Sequence, residues 1–194
     1  ERLPVVLEYS QGSSPGQVTT MQTFLDWRRN QKSFESLAAT ARVNMRMRSE
    51  TNEPLFVRGQ RVTHGFFETL RVRPLIGRTF TQAEELDASP RVVAVGYGLW
   101  QRHFGGAPDV IGRTLQLDDE AWEVVAVMPA AFNYPVAADE ATDIYVPARN
   151  RETDLTRGSG RTYAWSAIGR LRQGVSMRQA QDELHAITTA LAVE

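Results

Sequence analysis

Residues 42–48 alternate between polar and apolar side chains, with Arg42, Asn44, Arg46 and Arg48 set against Val43, Met45 and Met47. A helix turns about 100° per residue and would scatter these apolar positions around its surface. A strand sends successive side chains to opposite faces, so the segment reads as a strand with one face on a core and one in water. Thr51-Asn52-Glu53-Pro54 is turn material, and 55–62 reads as the return strand of a hairpin.

The remaining pattern mixes short helices with further strands. Val5-Val6-Leu7 is a short apolar run, followed by a loop-like stretch at 10–16. Thr19 or Thr20 can cap a helix in which Met21, Phe24 and Leu25 share a face widened by Trp27. Ser33 is expected to cap a second helical turn carrying Phe34 and Leu37, with Glu35 near its positive end. Thr63 is expected to cap a short helix bearing Phe66, Phe67 and Leu70. Thr81-Gln82-Ala83-Glu84 has the form of a capping box.

Val92-Val93-Ala94-Val95 reads as a strand covered on both faces. Gly96 permits a sharp exit into a helix marked by Leu99, Trp100 and Phe104 and stopped by Gly105-Gly106. Residues 111–128 read as another hairpin turning at Asp118-Asp119-Glu120, with Trp122, Val124, Ala126 and Met128 on one face of the return strand. Asp143–Pro147 is a short strand, and the polar stretch 149–161 is the linker candidate. Tyr163, Trp165, Ala167, Gly169 and Leu171 alternate as a strand. Ser176 and Gln179 then open an amphipathic helix with Met177, Ala180, Leu184, Ile187 and Leu191 on one face. The fold class is α+β.

Composition narrows the chemistry. The net charge of −1 argues against a nucleic-acid partner. The absence of cysteine excludes disulfides, Cys-ligated metal and thiol nucleophiles. Lys32 is the only lysine, which leaves little room for Schiff-base chemistry. There is no run of 18 apolar residues to span a bilayer. The chain opens at Glu1 without Met and without a signal-peptide pattern, and is expected to be an excised or mature segment.

No phosphate-binding loop, nucleophile elbow or zinc helix is present. Gly96-Tyr97-Gly98 lacks the third glycine of a dinucleotide turn, because Gln101 stands there, so a structural turn is preferred. His64, His103 and His185 have no metal-ligand spacing. Asp118-Asp119-Glu120 lacks the pattern of a calcium loop and reads as a solvated turn. The row Arg42, Arg46 and Arg48 could meet acidic groups or phosphates, with an exposed strand face the preferred reading. Phe66, Phe67, Trp100, Trp122, Tyr145 and Trp165 are mostly core candidates, with a few expected to line a partner surface. Ile76-Gly77-Arg78-Thr79 echoes Ile111-Gly112-Arg113-Thr114, each expected to form a tight turn with Gly at positive φ and Arg packing or pairing locally. No catalytic, cofactor-binding or metal-binding residue is assigned, and no cofactor is expected.

Ten segments in order carry a resemblance over nearly the whole chain. They are Phe24-Leu25-Asp26-Trp27-Arg28, Phe34-Glu35-Ser36-Leu37-Ala38, Val57-Arg58-Gly59, Phe66-Phe67-Glu68-Thr69-Leu70 and 74–80. The series continues with Val92-Val93-Ala94-Val95, Leu99-Trp100-Gln101-Arg102 with Phe104-Gly105-Gly106, 110–115, 124–129, and Ile168-Gly169-Arg170-Leu171 with Gly174-Val175. Together they resemble the MacB-like periplasmic core domain of ABC-transporter permeases, within the MacB/FtsX/LolC-type superfamily and its duplicated-permease subgroup. The resemblance implies a periplasmic domain of a bacterial inner-membrane protein, projecting between two transmembrane helices. It implies two lobes: a porter-like, βαβ-containing lobe at 1–63 and 150–194, and an inserted Sabre-like mixed α/β lobe at 64–149. It implies a non-enzymatic role in mechanotransmission, in which ATP-driven change is passed across the membrane for export or release of a substrate. The implied partners are the permease's own transmembrane helices, a cytoplasmic ABC ATPase, a second permease copy or half, and a periplasmic adaptor.

Two departures stand out. The family adds a strand after its last helix, whereas this sequence stops at Glu194 and is expected to be truncated; and Asp119 stands where the family's hairpin turn commonly has glycine. Two other function classes stay open from sequence: a small-molecule or peptide-binding module with an aromatic cleft between the lobes, and a hydrolase using scattered carboxylates or histidines.

Overall fold

A computed structural model of the chain describes residues 5–7, 19–48, 54–135, 141–149 and 165–191. The strands are β1 (Val5–Leu7), β2 (Phe34–Arg48), β3 (Pro54–Val62), β4 (Ile76–Gly77), β5 (Val92–Val95), β6 (Thr114–Leu117), β7 (Glu120–Val127), β8 (Ile144–Pro147) and β9 (Ser166–Leu171). The helices are α1 (Met21–Asn30), α2 (Phe66–Leu70), α3 (Tyr97–Phe104) and α4 (Met177–Leu191). Among the described residues the strands form one sheet in the order β1-β9-β2-β3-β8-β5-β7-β4, with β6 pairing both β7 and β2.

β2 organises this sheet. Its first half pairs antiparallel with β9, from Phe34↔Leu171 to Thr40↔Ser166, and its second half pairs with β3, from Thr40↔Val62 to Arg48↔Pro54. At its far end Met47 meets Leu117 of β6. The pairings therefore run in a closed circuit, β2 to β3, β8, β5, β7, β6 and back to β2. Inside the circuit lies an apolar cluster with a contribution from each of the six strands, including Met47, Val57, Ile144, Val93, Val124 and Leu117. The alternation at 42–48 creates it: Met45 and Met47 turn inward, and the arginines stay outside in water.

The other half of β2 is covered on both faces. Leu37, Ala39 and Ala41 pack with Phe24 and Trp27 of α1 and Leu184 of α4. Ala38 joins Phe66 and Phe67 of α2, with Tyr145 and Ile168. The small alanines let helices approach both sides of one strand. α1 and α4 are joined by the Trp27 indole N–H, which donates to Thr188 Oγ1 at 2.8 Å.

Several expectations need correcting. The helical turn expected at Ser33–Leu37 is strand: Phe34 begins β2, and burial against the helices outweighs the local capping signal. Thr63 does not cap α2. Gly65 holds that position, and Thr63 Oγ1 accepts the Ala39 N–H at 2.9 Å instead. The segment opened by Thr81 is a single 3-10 turn, Gln82–Glu85, in which the Thr81 N–H donates to Glu84 Oε2 at 2.8 Å.

In β7 the register slips between Val93↔Val124 and Ala94↔Ala126, so Val125 is an extra residue. This bulge inverts the alternation. Trp122 and Val124 face the circuit's interior, whereas Ala126 and Met128 pack in the α2 cluster. The Thr51–Glu53 turn, the 10–16 loop, most of the 149–161 linker and Tyr163 lie outside the described residues.

The hairpin signals, Thr20 at the α1 N-cap, Gly105 in the left-handed conformation after α3, and the Ser176–Gln179 box opening α4 all form as read. So does the tetrapeptide echo. Gly77 and Gly112 have φ of 85° and 86°, and both segments lie on β7. Arg78 N–H donates to the Val125 carbonyl at 3.0 Å and Gly112 N–H to that of Val124 at 2.8 Å. Arg78 pairs with Glu84 and Arg113 with Asp109.

The two glycines are not equivalent. A Cβ at Gly77 would run into the Val125 carbonyl oxygen, whereas one at Gly112 would meet open space. Gly112→Ala should cost about 1–2 kcal/mol, the strain of a left-handed residue alone. Gly77→Ala should cost more than about 3 kcal/mol, because β4 must also move off β7. Urea unfolding of both variants measures this, and equal losses would refute the backbone-clash account.

Candidate functional site

The polar side chains that sequence reading singled out do not converge on a reaction centre. Among the described residues no group of His, Asp and Glu could hold a metal ion. Gly96 is a packing position, where a Cβ would meet the Thr142 carbonyl oxygen. The arginine row and the acidic turn answer each other. Asp118 Oδ1 accepts the Arg46 backbone N–H at 2.8 Å, and the Asp118 N–H donates to the Arg46 carbonyl at 2.8 Å. Asp119 bridges the guanidiniums of Arg46 and Arg48, each at 3.3 Å. Asp118 and Asp119 both have positive φ, at 50° and 66°. A two-residue hairpin turn demands this and usually fills it with Asn-Gly or Asp-Gly. The departure from glycine at 119 thus supplies a carboxylate that fastens β6–β7 to β2. Glu120 pairs with Arg91 instead.

All six aromatics of interest, Phe66, Phe67, Trp100, Trp122, Tyr145 and Trp165, are buried. None lines an exposed surface, which corrects that expectation: Trp100 and Trp122 fill the circuit's interior, Trp165 packs with α1 and α4, and Phe66, Phe67 and Tyr145 pack together under α2. Burial pushes the Tyr145 phenol well up, so it stays neutral.

The geometry assembles a set of polar ties between residues 64–149 and the elements on either side. Near α1, Glu85 accepts the His64 backbone N–H at 2.8 Å and lies 3.6 Å from Arg28. The His64 Nδ1 is 3.4 Å from Glu85 Oε1 and 3.4 Å from Arg28 Nη1. Under α2, the buried Arg170 of β9 donates to the Thr69 carbonyl at 2.8 Å. Beside the circuit, buried Asp143 accepts the Arg58 backbone N–H at 3.0 Å and the Arg102 guanidinium at 2.7 Å. The Asp143 N–H also donates to the Arg58 carbonyl at 2.8 Å, and the Asp143 carbonyl accepts the Gly96 N–H at 2.7 Å. Charged groups held this way in partly buried sites fix orientation strongly, because losing one partner leaves the other uncompensated.

Sequence reading missed Glu85, Asp143 and Arg170. Their signal is tertiary, since each partner lies 21 or more residues away. His103 stacks edge-on with Phe104 at 4.8 Å, and His185 lies exposed on α4.

Two carboxylates show how such ties are held. Burial disfavours the charge of Glu183, but hydrogen bonds from Ser33 and from the Lys32 backbone outweigh it and hold the carboxyl below its usual range. The Lys32 and Ser33 backbone N–H groups donate to it at 2.8 and 3.0 Å, which locks the α1–β2 corner onto α4. Burial likewise opposes the charge of Glu84, and bonds from Arg78 and Thr81 lower it.

The architecture is that of the periplasmic domains of ABC-transporter permeases. The periplasmic region of MacB from Actinobacillus actinomycetemcomitans superposes with a TM-score of 0.67 at 16% identity, covering 90% of this chain and 75% of that one. A domain of a Porphyromonas gingivalis protein described as a permease gives 0.66 at 16% identity, with 90% and 71% covered. The extracellular domain of the noncanonic ABC-type transporter YknZ from Gram-positive bacteria gives 0.57 at 15%, with 90% and 80% covered. No curated protein sequence matches the chain. The family model for the MacB-like periplasmic core domain matches residues 3–187, and the chain belongs to that family. It is accordingly a periplasmic domain of a bacterial inner-membrane ABC-transporter permease. Among the described residues no helix is long and apolar enough to cross a membrane.

The sign of the pH dependence follows from the lowered carboxyls. A folded-state pKa below the ordinary 4.5 adds stability that is fully present above 4.5 and is lost as pH falls through the folded value. Stability should therefore be level near neutrality and decline below about pH 4.5. Glu183→Gln should cost about 1 kcal/mol at pH 7, discounted for its partial exposure, and close to nothing near pH 3. Urea midpoints at the two pH values read this directly; an equal loss at both would show that the charge on Glu183 is irrelevant.

Proposed function

We propose that this domain is a non-catalytic transmission element. It passes conformational change, driven by a cytoplasmic ABC ATPase, from the permease's transmembrane helices to the periplasm, for export or release of a substrate. The observation that carries the reading is β2. One 15-residue strand pairs with β9, β3 and β6 and contributes to all three apolar clusters. A displacement at the terminal elements is delivered through that strand to the far hairpin, with the ties at Arg28, Arg170 and Asp143 keeping the pieces in step.

The reading includes two lobes, 1–63 with 150–194 and 64–149. It is supported by the strand order, in which β1, β9, β2 and β3 are neighbours at one end and β8, β5, β7 and β4 at the other. The two groups join at the parallel β3–β8 pairing and again where β6 meets β2. A second permease copy or half would present a second such domain, and a periplasmic adaptor is the expected recipient in an efflux assembly.

The cysteine-free sequence suits site-directed spin labelling. Asp182→Cys on α4 and Gln101→Cys on α3 are exposed positions, one in each lobe. In the parent permease, reconstituted with its ATPase, the distance between labels on paired domains should shift by several ångströms on ATP addition, with a smaller shift between the two labels of one domain. Distances unmoved by ATP during active transport would end the transmission reading.

A further inference from the structure

The outer face of the β2–β3 hairpin carries a feature that the closed circuit does not use. Phe56 is 69% exposed, the most exposed large apolar residue described. It stands directly across from Arg46, with Arg48 opposite Pro54 and Arg58 opposite Asn44 on the same face. Cross-strand neighbours sit about 5 Å apart, so Phe56 shares this strand face with Arg46, Arg48 and Arg58, and Arg42 lies further along the same face. Asp118 and Asp119 are the carboxylates described against this face, and Asp119 is shared by Arg46 and Arg48. Among the described residues Arg42, Arg46 and Arg48 on this face stand against the two carboxylates of Asp118 and Asp119, and Arg42 has no ion pair there. Exposed aromatic and arginine side chains together are the composition of binding hot spots.

We propose that this face, centred on Phe56 and Arg42, docks an acidic, apolar-containing segment of a separate protein. Charge complementarity selects an acidic partner. Position selects a protein over a lipid surface. Val5 of β1 is level with Leu37 through Gly169, and β2 runs on for 11 residues to Arg48. That is roughly 35 Å at strand rise. α4 packs beside α1 against Leu37, Ala39 and Ala41, so the hairpin end stands away from both terminal elements. The preference for protein over membrane rests on the transmission reading, in which those elements adjoin the bilayer. The existence of the docking face does not.

The test uses the whole 194-residue chain. A labelled 12-residue peptide alternating Glu and Leu serves as the probe, and its Gln-for-Glu counterpart as the control. The Glu peptide should bind measurably and the Gln peptide at least about fivefold more weakly. Arg42→Glu and Phe56→Ala should each weaken Glu-peptide binding at least about fivefold with the thermal midpoint preserved, and Arg73→Glu, exposed elsewhere, should not. No binding, or binding indifferent to both substitutions, overturns the proposal. Adhesion to phosphatidylglycerol vesicles that is lost in the same two variants would assign the face to a membrane. A concentration-dependent dimer abolished by Phe56→Ala would assign it to a second copy. Either result also overturns the proposal. None of these measurements involves an ATPase, so failure here leaves the transmission reading standing, and failure of that reading leaves peptide binding unaffected.

Discussion

The closure of β6 onto β2 is the constraint on which the rest depends. A single register pair, Met47↔Leu117, and the backbone exchange between Arg46 and Asp118 join the two ends of the strand circuit. Without them β6 would be an edge strand held only by β7, and the cluster around Met47, Leu115 and Leu117 would face water on one side. With them, fifteen buried residues share one dry interior. Burial of that kind is worth about 25 cal/mol per Å² of apolar surface, which far exceeds what the exposed ion pairs of Asp119 contribute. The charges at the closure set register and direction, and the apolar interior supplies the energy.

β2 then does two jobs because its side chains change character along its length. Alanines at 38, 39 and 41 admit helices on both faces, and the Arg/Met alternation beyond 42 admits cover on one face only. A strand sandwiched between helices continues without a break into the wall of a closed circuit. On the transmission reading, this continuity is the property that bears on function. A displacement at one end of this hydrogen-bonded, closely packed strand is, on that reading, passed along it. The buried Arg170 ties α2 to β9, and the buried Asp143 ties the start of β8 to β3.

Much of this was readable in the chain. The period-two run at 42–48, the continuous apolar run at 92–95 and the 3-4 spacing in α4 each depend on the few residues around them, and each formed as expected. The tetrapeptide echo was too short to prove a repeat, yet its glycines and arginines behave alike because both segments dock on β7. The failures share a cause. Ser33 offered a good local cap, but the following residues gained more by burying Phe34 and Leu37 between sheet and helices. The bulge at Val125 left no mark in a stretch apolar at every position, so the faces of Ala126 and Met128 were misassigned. Glu85, Asp143 and Arg170 looked like ordinary charges until folding brought their partners to them.

The sequence alone determined the alternation at 42–48, the caps of α1 and α4, the absence of cysteine and the family, since these reside in composition and in spacings of a few residues. The tertiary structure alone decided which arginines face carboxylates, that the six large aromatics fill the interior, and that the strand circuit closes. Those outcomes depend on contacts between segments far apart in the chain, whose free energy appears only once the intervening loops have been closed.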